Sequence, residues 1–268
     1  MKRALREHWP EYLMEAALLG IFMVLATAYT VALEYPGSPL RVAIVSATLR
    51  RAIMGVLIGC TAYALIVSPW GKQSGAHFNP ATTLTFLHLG KIGGWDALFY
   101  VVAQFVGAVL GTVLIRALVG APVAHPTVAY IVTAPGAWGA LAAFVGEVAI
   151  AFGLITVVLT LSNHPTLHTW TPVVVGALVG TYIVVEAPLS GMSLNPARSF
   201  APALVAHSWH WLWIYFSAPP LGMLLAARGY VALAGRERIH CAKFHHANDA
   251  RCVVFHCRFG ELVTNGAR

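Results

Sequence analysis

Ser74-Gly75-Ala76-His77-Phe78-Asn79-Pro80-Ala81 and Ser190-Gly191-Met192-Ser193-Leu194-Asn195-Pro196-Ala197 are two copies of one frame, Ser-Gly-x-x-x-Asn-Pro-Ala, 116 residues apart in a chain of 268. Asn is a favoured N-cap and Pro a favoured first helical residue, so each Asn-Pro-Ala instructs a helix to start. One such start before an apolar run is ordinary. Two of them, each with Ser-Gly at the same distance upstream, are not. The chain around them is 58% hydrophobic and 10% charged, so a polar motif buried there needs compensation. Two equivalent helix starts meeting inside a membrane would supply it.

Outward from the two frames, the chain reads as an integral membrane protein. Mean hydropathy is +0.72, and long uncharged runs predict six spans near Tyr12–Leu33, Arg51–Val67, Asp96–Val119, Ala137–Leu161, Pro172–Ala187 and His210–Leu233. The first apolar stretch is too long for a cleavable signal and lacks a clear small-residue cleavage site, so it is expected to remain as a span. Gly71–Leu89 and Leu189–Ala206 lie between spans, too short to cross yet apolar enough to enter. Pro80–Leu89 and Pro196–Val205 would each give about 15 Å of helix, half of a core of about 30 Å. The fold class is therefore all-α: six transmembrane helices plus two re-entrant half-helices. Three spans and one half-helix in each half, with an odd number of crossings, make the second half an inverted 3+1/3+1 repeat of the first.

The expected division is an N-terminus over 1–11, a channel domain over 12–235 with repeats near 12–120 and 136–235, and a tail over 236–268. The net charge of +7 sorts by membrane side. Of the 17 Lys and Arg, only Arg41, Arg50, Arg51, Arg116 and Arg198 lie outside or within the span if both termini are cytoplasmic. That agrees with the positive-inside rule, although three of the exceptions share the first external loop.

The paired boxes, and Asn195-Pro196-Ala197-Arg198-Ser199-Phe200 in particular, resemble those of an aquaporin, a member of the major intrinsic protein family. The resemblance covers roughly residues 10–235. Asp96 to Gly111 with Gln104, and Trp213 to Gly222 with Pro219, are similar to the family's third and sixth spans. Gly55/Gly59, Gly107/Gly111 and Gly176/Gly180 are spaced for close helix contact. The resemblance implies a homotetramer with one pore per subunit, in the cell membrane.

Backbone that is not helical at membrane depth must be buried in protein or line a wet cavity. Gly75, Ala76, His77, Gly191, Met192 and Ser193 should therefore offer carbonyls along a pore, as they do in the family. The amides of Asn79 and Asn195 can donate to a passing oxygen. The positive ends of two half-helices converge beside them and oppose cations and protons. The expected function is a passive channel for water that excludes ions and protons, with other small uncharged solutes possible.

A charge at membrane depth is costly and usually functional, which singles out Arg198. In the family it helps form the external constriction. Water-specific relatives carry a histidine where this chain has Ile183, and often a small residue where it has Met192. The second-span member is Ile58 or Gly59. Other positions look more like water channels than glycerol facilitators: Ser199 instead of aspartate, Ala203 instead of a basic residue, and Tyr215-Phe216 in the last span. The alternative is a facilitator mainly for glycerol, ammonia, hydrogen peroxide or a metalloid acid. A proton-coupled transporter using Glu15 and Glu147 is the rival from another class.

By the family pattern Glu15 and Glu147 accept hydrogen bonds from the re-entrant loops. Glu34 and Glu186 are expected to face water, and Cys60 to be a small core residue. His77 either faces the pore or packs in its loop. The tail holds three of the four cysteines. Cys241/His245 and Cys252/His256 are each four apart, suited to two ligands on a helix face, with His246 and Cys257 as alternates. Zinc is the metal they suggest; a basic tail attracted to anionic lipid is the plain alternative. No clustered nucleophile and base, and no cofactor motif, points to an enzyme.

Overall fold

The computed structural model describes residues 1–246, 252, 253 and 257–260. Eight helices carry the architecture: α1 (Lys2–Glu34), α2 (Ala47–Val67), α3 (Pro80–His88), α4 (Gly94–Val119), α5 (Gly139–Ser162), α6 (Thr171–Val185), α7 (Pro196–Ala206) and α8 (Leu212–Ala234). Among the described residues α1, α2, α4, α5 and the segment His168–Val185 are long and apolar enough to cross a membrane. α8 has the length, at 23 residues, but carries Pro219, Pro220 and Arg228. α1 begins ten residues before the predicted start at Tyr12, so residues 2–11 are its first turns rather than a separate segment.

The spans pair as α1 with α4, α2 with α6, and α5 with α8. Each pairing rests on glycine, because the backbones approach too closely for any side chain. A Cβ on Gly107 would sit 2.0 Å from the Ala16 carbonyl oxygen, and one on Gly111 2.4 Å from that of Gly20. Across α2 and α6, a Cβ on Gly59 would lie 2.6 Å from the Gly176 oxygen, and one on Gly55 2.6 Å from the Gly180 oxygen. In α8, one on Gly222 would meet the Val148 oxygen at 2.3 Å. Small residues at helix contacts are how membrane helices gain van der Waals packing in place of a hydrophobic drive.

The half-helices form as their first residues instruct. Asn79 caps α3, its Oδ1 accepting from the Ala81 amide at 2.9 Å, and Pro80 fills the first helical position. Asn195 caps α7 by accepting from the amides of Ala197 and Arg198. α3 and α7 have nine and eleven residues, so neither can cross a core of about 30 Å. α7 packs on α4 of the first repeat, and α3 on α8 of the second.

Two local expectations are corrected. Cys60 is exposed, because it lines the cleft between α2 and α6 rather than the core. Glu186 is buried, drawn inward by the short helix Ala187–Ser190 that follows it. Glu34 keeps about a third of its side chain exposed while pairing with Arg50, which binds it through Nε and an Nη at 3.0 Å each, with Arg41 at 3.9 Å. Between α2 and the first half-helix lies a further short helix, Pro69–Ser74, started by a Ser68 cap and Pro69.

Candidate pore

Both loops leading into the half-helices run through left-handed backbone. φ is +101° at Gly75, 56° at Ala76 and 26° at Phe78, and 79° at Gly191, 48° at Met192 and 60° at Leu194. Such conformations persist in non-glycine residues only when the surroundings hold them. Here two carboxylates do so. Glu15 accepts from the Ser74 hydroxyl at 2.7 Å, the His77 amide at 3.1 Å, the Phe78 amide, and the Gln104 side-chain amide at 2.8 Å. Glu147 accepts from the Ser190 hydroxyl at 2.7 Å, the Ser193 amide at 2.6 Å and the Leu194 amide at 2.8 Å. Both glutamates are fully buried.

A second pair of braces was not anticipated. The Tyr100 hydroxyl donates to the Ser74 carbonyl at 2.8 Å, and the Tyr215 hydroxyl to that of Ser190. The sequence does hold a signal for it: the tyrosines follow their serines by 26 and 25 residues, so they repeat almost in step with the boxes.

At the centre the two asparagines hold each other's loops. Asn79 Nδ2 donates to the Leu194 carbonyl, and Asn195 Nδ2 to the Phe78 carbonyl, each at 2.8 Å. Each Oδ1 is spent on its own helix start, so one proton per amide remains for a passing molecule. A cavity of about 90 Å³ runs past both asparagines. Its wall also includes Ile58, Ile183, Met192 and Arg198. Ile58, not Gly59, turns into it; Gly59 is taken up by the α2–α6 contact. Arg198 is aimed by one bond, an Nη donating to the Ile131 carbonyl at 2.9 Å. Of the six residues expected to offer pore carbonyls, His77, Met192 and Ser193 line the cavity.

The mouth on the face where α1 begins and α8 ends is occupied by the chain itself. Ile239, Ala242, Lys243 and Phe244 are buried, and Phe244 is part of the cavity wall. The Phe244 amide donates to the Gly75 carbonyl at 3.2 Å, and Lys243 Nζ to the Lys72 carbonyl at 2.8 Å. His77 Nε2 lies 2.9 Å from the Ala242 carbonyl and must donate to it, so Nδ1 accepts from the Thr83 hydroxyl at 3.1 Å. His77 thus both lines the cavity and packs in its loop, stacked on Phe86.

Beside this segment Cys241, His246, Cys252 and Cys257 bring four possible ligand atoms within 4.8 Å of one another. The alternates His246 and Cys257 take the places expected of His245 and His256. Residues 239–246 are not helical, so a spacing of four does not align Cys241 with His245; His256 lies outside the described residues. Donation from Cys241 and then Cys252 holds the Cys257 thiol far below the usual range, while burial foremost holds that of Cys241 well above it. Burial opposes a charge on His246, yet its Cys252 and Cys257 partners raise it to about 9.

A family model described as Major intrinsic protein matches residues 3–230. The chain is 32% identical to the probable aquaporin TIP4-1 of Oryza sativa subsp. japonica over 234 residues, 85% of this chain and 88% of that one. It is 31% identical to the glycerol uptake facilitator protein-like 6 of Lactiplantibacillus plantarum over 79% of this chain and 93% of the relative. A match to the probable aquaporin TIP2-2 of Oryza sativa subsp. japonica is 38% identical but spans 59% of this chain and 62% of that relative, under two thirds of its length. Among solved structures, the aquaglyceroporin from Plasmodium falciparum superposes with a TM-score of 0.71 over 87% of this chain and 99% of its own, at 17% identity.

Proposed function

The chain belongs to the major intrinsic protein family, and from that premise we propose that it is a passive channel for water and small uncharged solutes that excludes ions and protons. The observation that carries this is the meeting of two capped half-helix starts at Asn79 and Asn195 on one cavity. Each start presents about half a positive charge and one amide proton. A neutral oxygen is bound in passing, and a cation is opposed. Arg198 adds a fixed positive charge and donors at the far constriction. Glu15 and Glu147 position the loops, and with three or four donors each they are committed to that task rather than to proton relay.

Residues 12–235 are the conducting unit and 236–268 the appended tail; the membrane is the cell membrane, both termini are cytoplasmic, and the assembly is a homotetramer. The second reading, a facilitator mainly for another small neutral solute, is favoured by one observation. Ile58, Ile183 and Met192 share the cavity wall with Arg198, and an aliphatic wall cannot replace hydrogen bonds that water loses on entry.

Full-length protein in proteoliposomes tests both readings under osmotic gradients of sucrose, glycerol, urea and hydrogen peroxide, with and without a membrane-permeant metal chelator. Shrinkage faster than in empty vesicles, with no potassium or proton leak, supports the channel. Rates equal to empty vesicles in every condition overturn it. Ile183→His adds a polar donor to the wall and should raise the water-to-glycerol ratio about tenfold, the effect of roughly 1.4 kcal/mol on a barrier. An unchanged ratio removes Ile183 from the constriction.

A further inference from the structure

The segment in the pore mouth and the Cys/His cluster are two ends of one short stretch. Cys241 directly precedes Ala242, whose carbonyl binds His77. His246 follows Phe244, whose amide binds Gly75, by two residues. We propose that Cys241, His246, Cys252 and Cys257 form a zinc site that latches residues 242–244 in the mouth, so that metal binding closes the channel and metal loss opens it. The inference rests on the channel reading.

The donor set fits the ion. Three thiolates and one imidazole are an established structural zinc set, and Zn–S bonds of about 2.3 Å place tetrahedral sulfurs about 3.8 Å apart. Cys241 Sγ and Cys252 Sγ are 3.6 Å apart, His246 Nε2 and Cys257 Sγ 3.1 Å, and all four atoms fall within 4.8 Å. The sulfur separation is far beyond the roughly 2.05 Å of a disulfide, so these are thiols arranged around a point and not bonded to each other. Cys241 is buried and the other three half-buried, which leaves the site reachable by a metal from solvent.

The site's supports face the channel body. The His240 amide donates to the Asn163 side chain at the end of α5, at 2.7 Å. His246 stacks on Phe259, and Phe259 meets His168 edge-on in the loop before α6. A filled site therefore fixes the segment to the rim on one side, while Gly75, His77 and Lys72 receive it on the other. The hydrogen bonds made by Ala242, Lys243 and Phe244 work against the conformational freedom of a stretch, residues 239–246, that is not helical. Tying both flanks through one ion removes much of that freedom before the segment docks.

The connection continues into the pore. Thr83, which engages His77 Nδ1, also receives the Gln104 amide, and Gln104 donates to Glu15. The seated segment is thus bonded to the same network that shapes the first re-entrant loop. Phe244 in the cavity wall supplies the apolar obstruction.

The test uses the full chain in proteoliposomes, with zinc counted by mass spectrometry and water flux by stopped-flow light scattering. One zinc per chain is expected, lost in the Cys252→Ser, Cys257→Ser double variant. Flux of the zinc-loaded protein should rise at least fivefold with a permeant chelator and fall again when zinc is restored. Phe244→Ala should keep its zinc and conduct in both states, which separates the obstruction from the latch. Absence of stoichiometric zinc overturns the proposal, as does equal flux above background with and without zinc, or closure by oxidant alone. Flux at empty-vesicle level throughout, Phe244→Ala included, would instead remove the channel reading beneath it.

Discussion

Asn195→Asp isolates what one amide contributes. The asparagine donates to the Phe78 carbonyl and accepts from two amides of its own helix. Aspartate keeps the acceptor but points an anionic oxygen at a carbonyl, leaving a buried acceptor unpaired at about 1–3 kcal/mol. Its charge also offsets the positive helix ends. Water flux should fall by about tenfold, the effect of about 1.4 kcal/mol on a barrier, while potassium leak appears; unchanged flux with no leak would contradict the central role given to this side chain. Glu15→Gln separates positioning from proton relay. Glutamine turns an NH2 toward donors that now find no acceptor, at a cost of about 2 kcal/mol or more. Lower thermal stability in detergent and loss of passive flux at every pH are expected. A stable protein that lost only uncoupler-sensitive uptake would favour the relay. Legibility at this scale was uneven. The boxes, both glutamates and Arg198 stand out because polar residues in an apolar chain are conspicuous. Tyr100, Tyr215 and Thr83 do not, because tyrosine and threonine are ordinary in membrane helices, and only the repeat in step with the boxes marks the tyrosines.

The helices were read from local chemistry, and they are right where that chemistry is local. Ser-cap or Asn-cap followed by proline starts α3, α7 and also Pro69–Ser74. The start of the first span was not legible, because apolarity marks the part inside a membrane and not where the helix begins. Lys2, Arg3 and Glu7 lie in α1, which crosses from the interface into the core without a break. The glycine pairs are legible as spacing but not as partners, since spacing on one helix does not say which neighbour fills it. The partners give a graded prediction. Gly107→Ala would place Cβ 2.0 Å from a backbone oxygen of α1, whereas Gly20→Ala would place it 3.0 Å from one of α4. Backbone cannot yield as a side-chain tip can, so α1 and α4 must separate in the first variant and shift slightly in the second. Thermal unfolding in detergent should show Gly107→Ala losing at least about 2 kcal/mol, in the range of core overpacking, and Gly20→Ala clearly less. Equal stability of the two would mean that the α1–α4 contact is looser than described.

At the scale of the whole molecule, what the sequence could not disclose is contact between distant segments. His77 and Ala242 are 165 residues apart, and nothing in the basic, Cys/His-rich tail marks it as an occupant of the pore mouth. The ligand pairing went astray for a related reason: a spacing of four implies a helix face, and the tail bends back on itself instead. The proposed orientation, in contrast, rests on counting and on these contacts together. Counting α8 as a sixth span brings the start of α1 and the end of α8 to one face. The tail's bonds to Lys72 and Gly75 place the loop after α2 on that face too. The arginines that run against the positive-inside rule have structural work on the other face. Arg50 is buried and donates to Glu34 and to the carbonyls of Ile44 and Val45, and Arg41 lies beside the same glutamate. With those two held by the fold, the remaining Lys and Arg weigh toward the face where α1 begins, which supports the proposed cytoplasmic orientation of that face. Epitopes placed before Met1 or after Arg268 should bind antibody only in permeabilised cells. One placed in the loop between α4 and α5 should bind on intact cells. Termini that label on intact cells would reverse the orientation, and with it the side from which zinc must reach the latch.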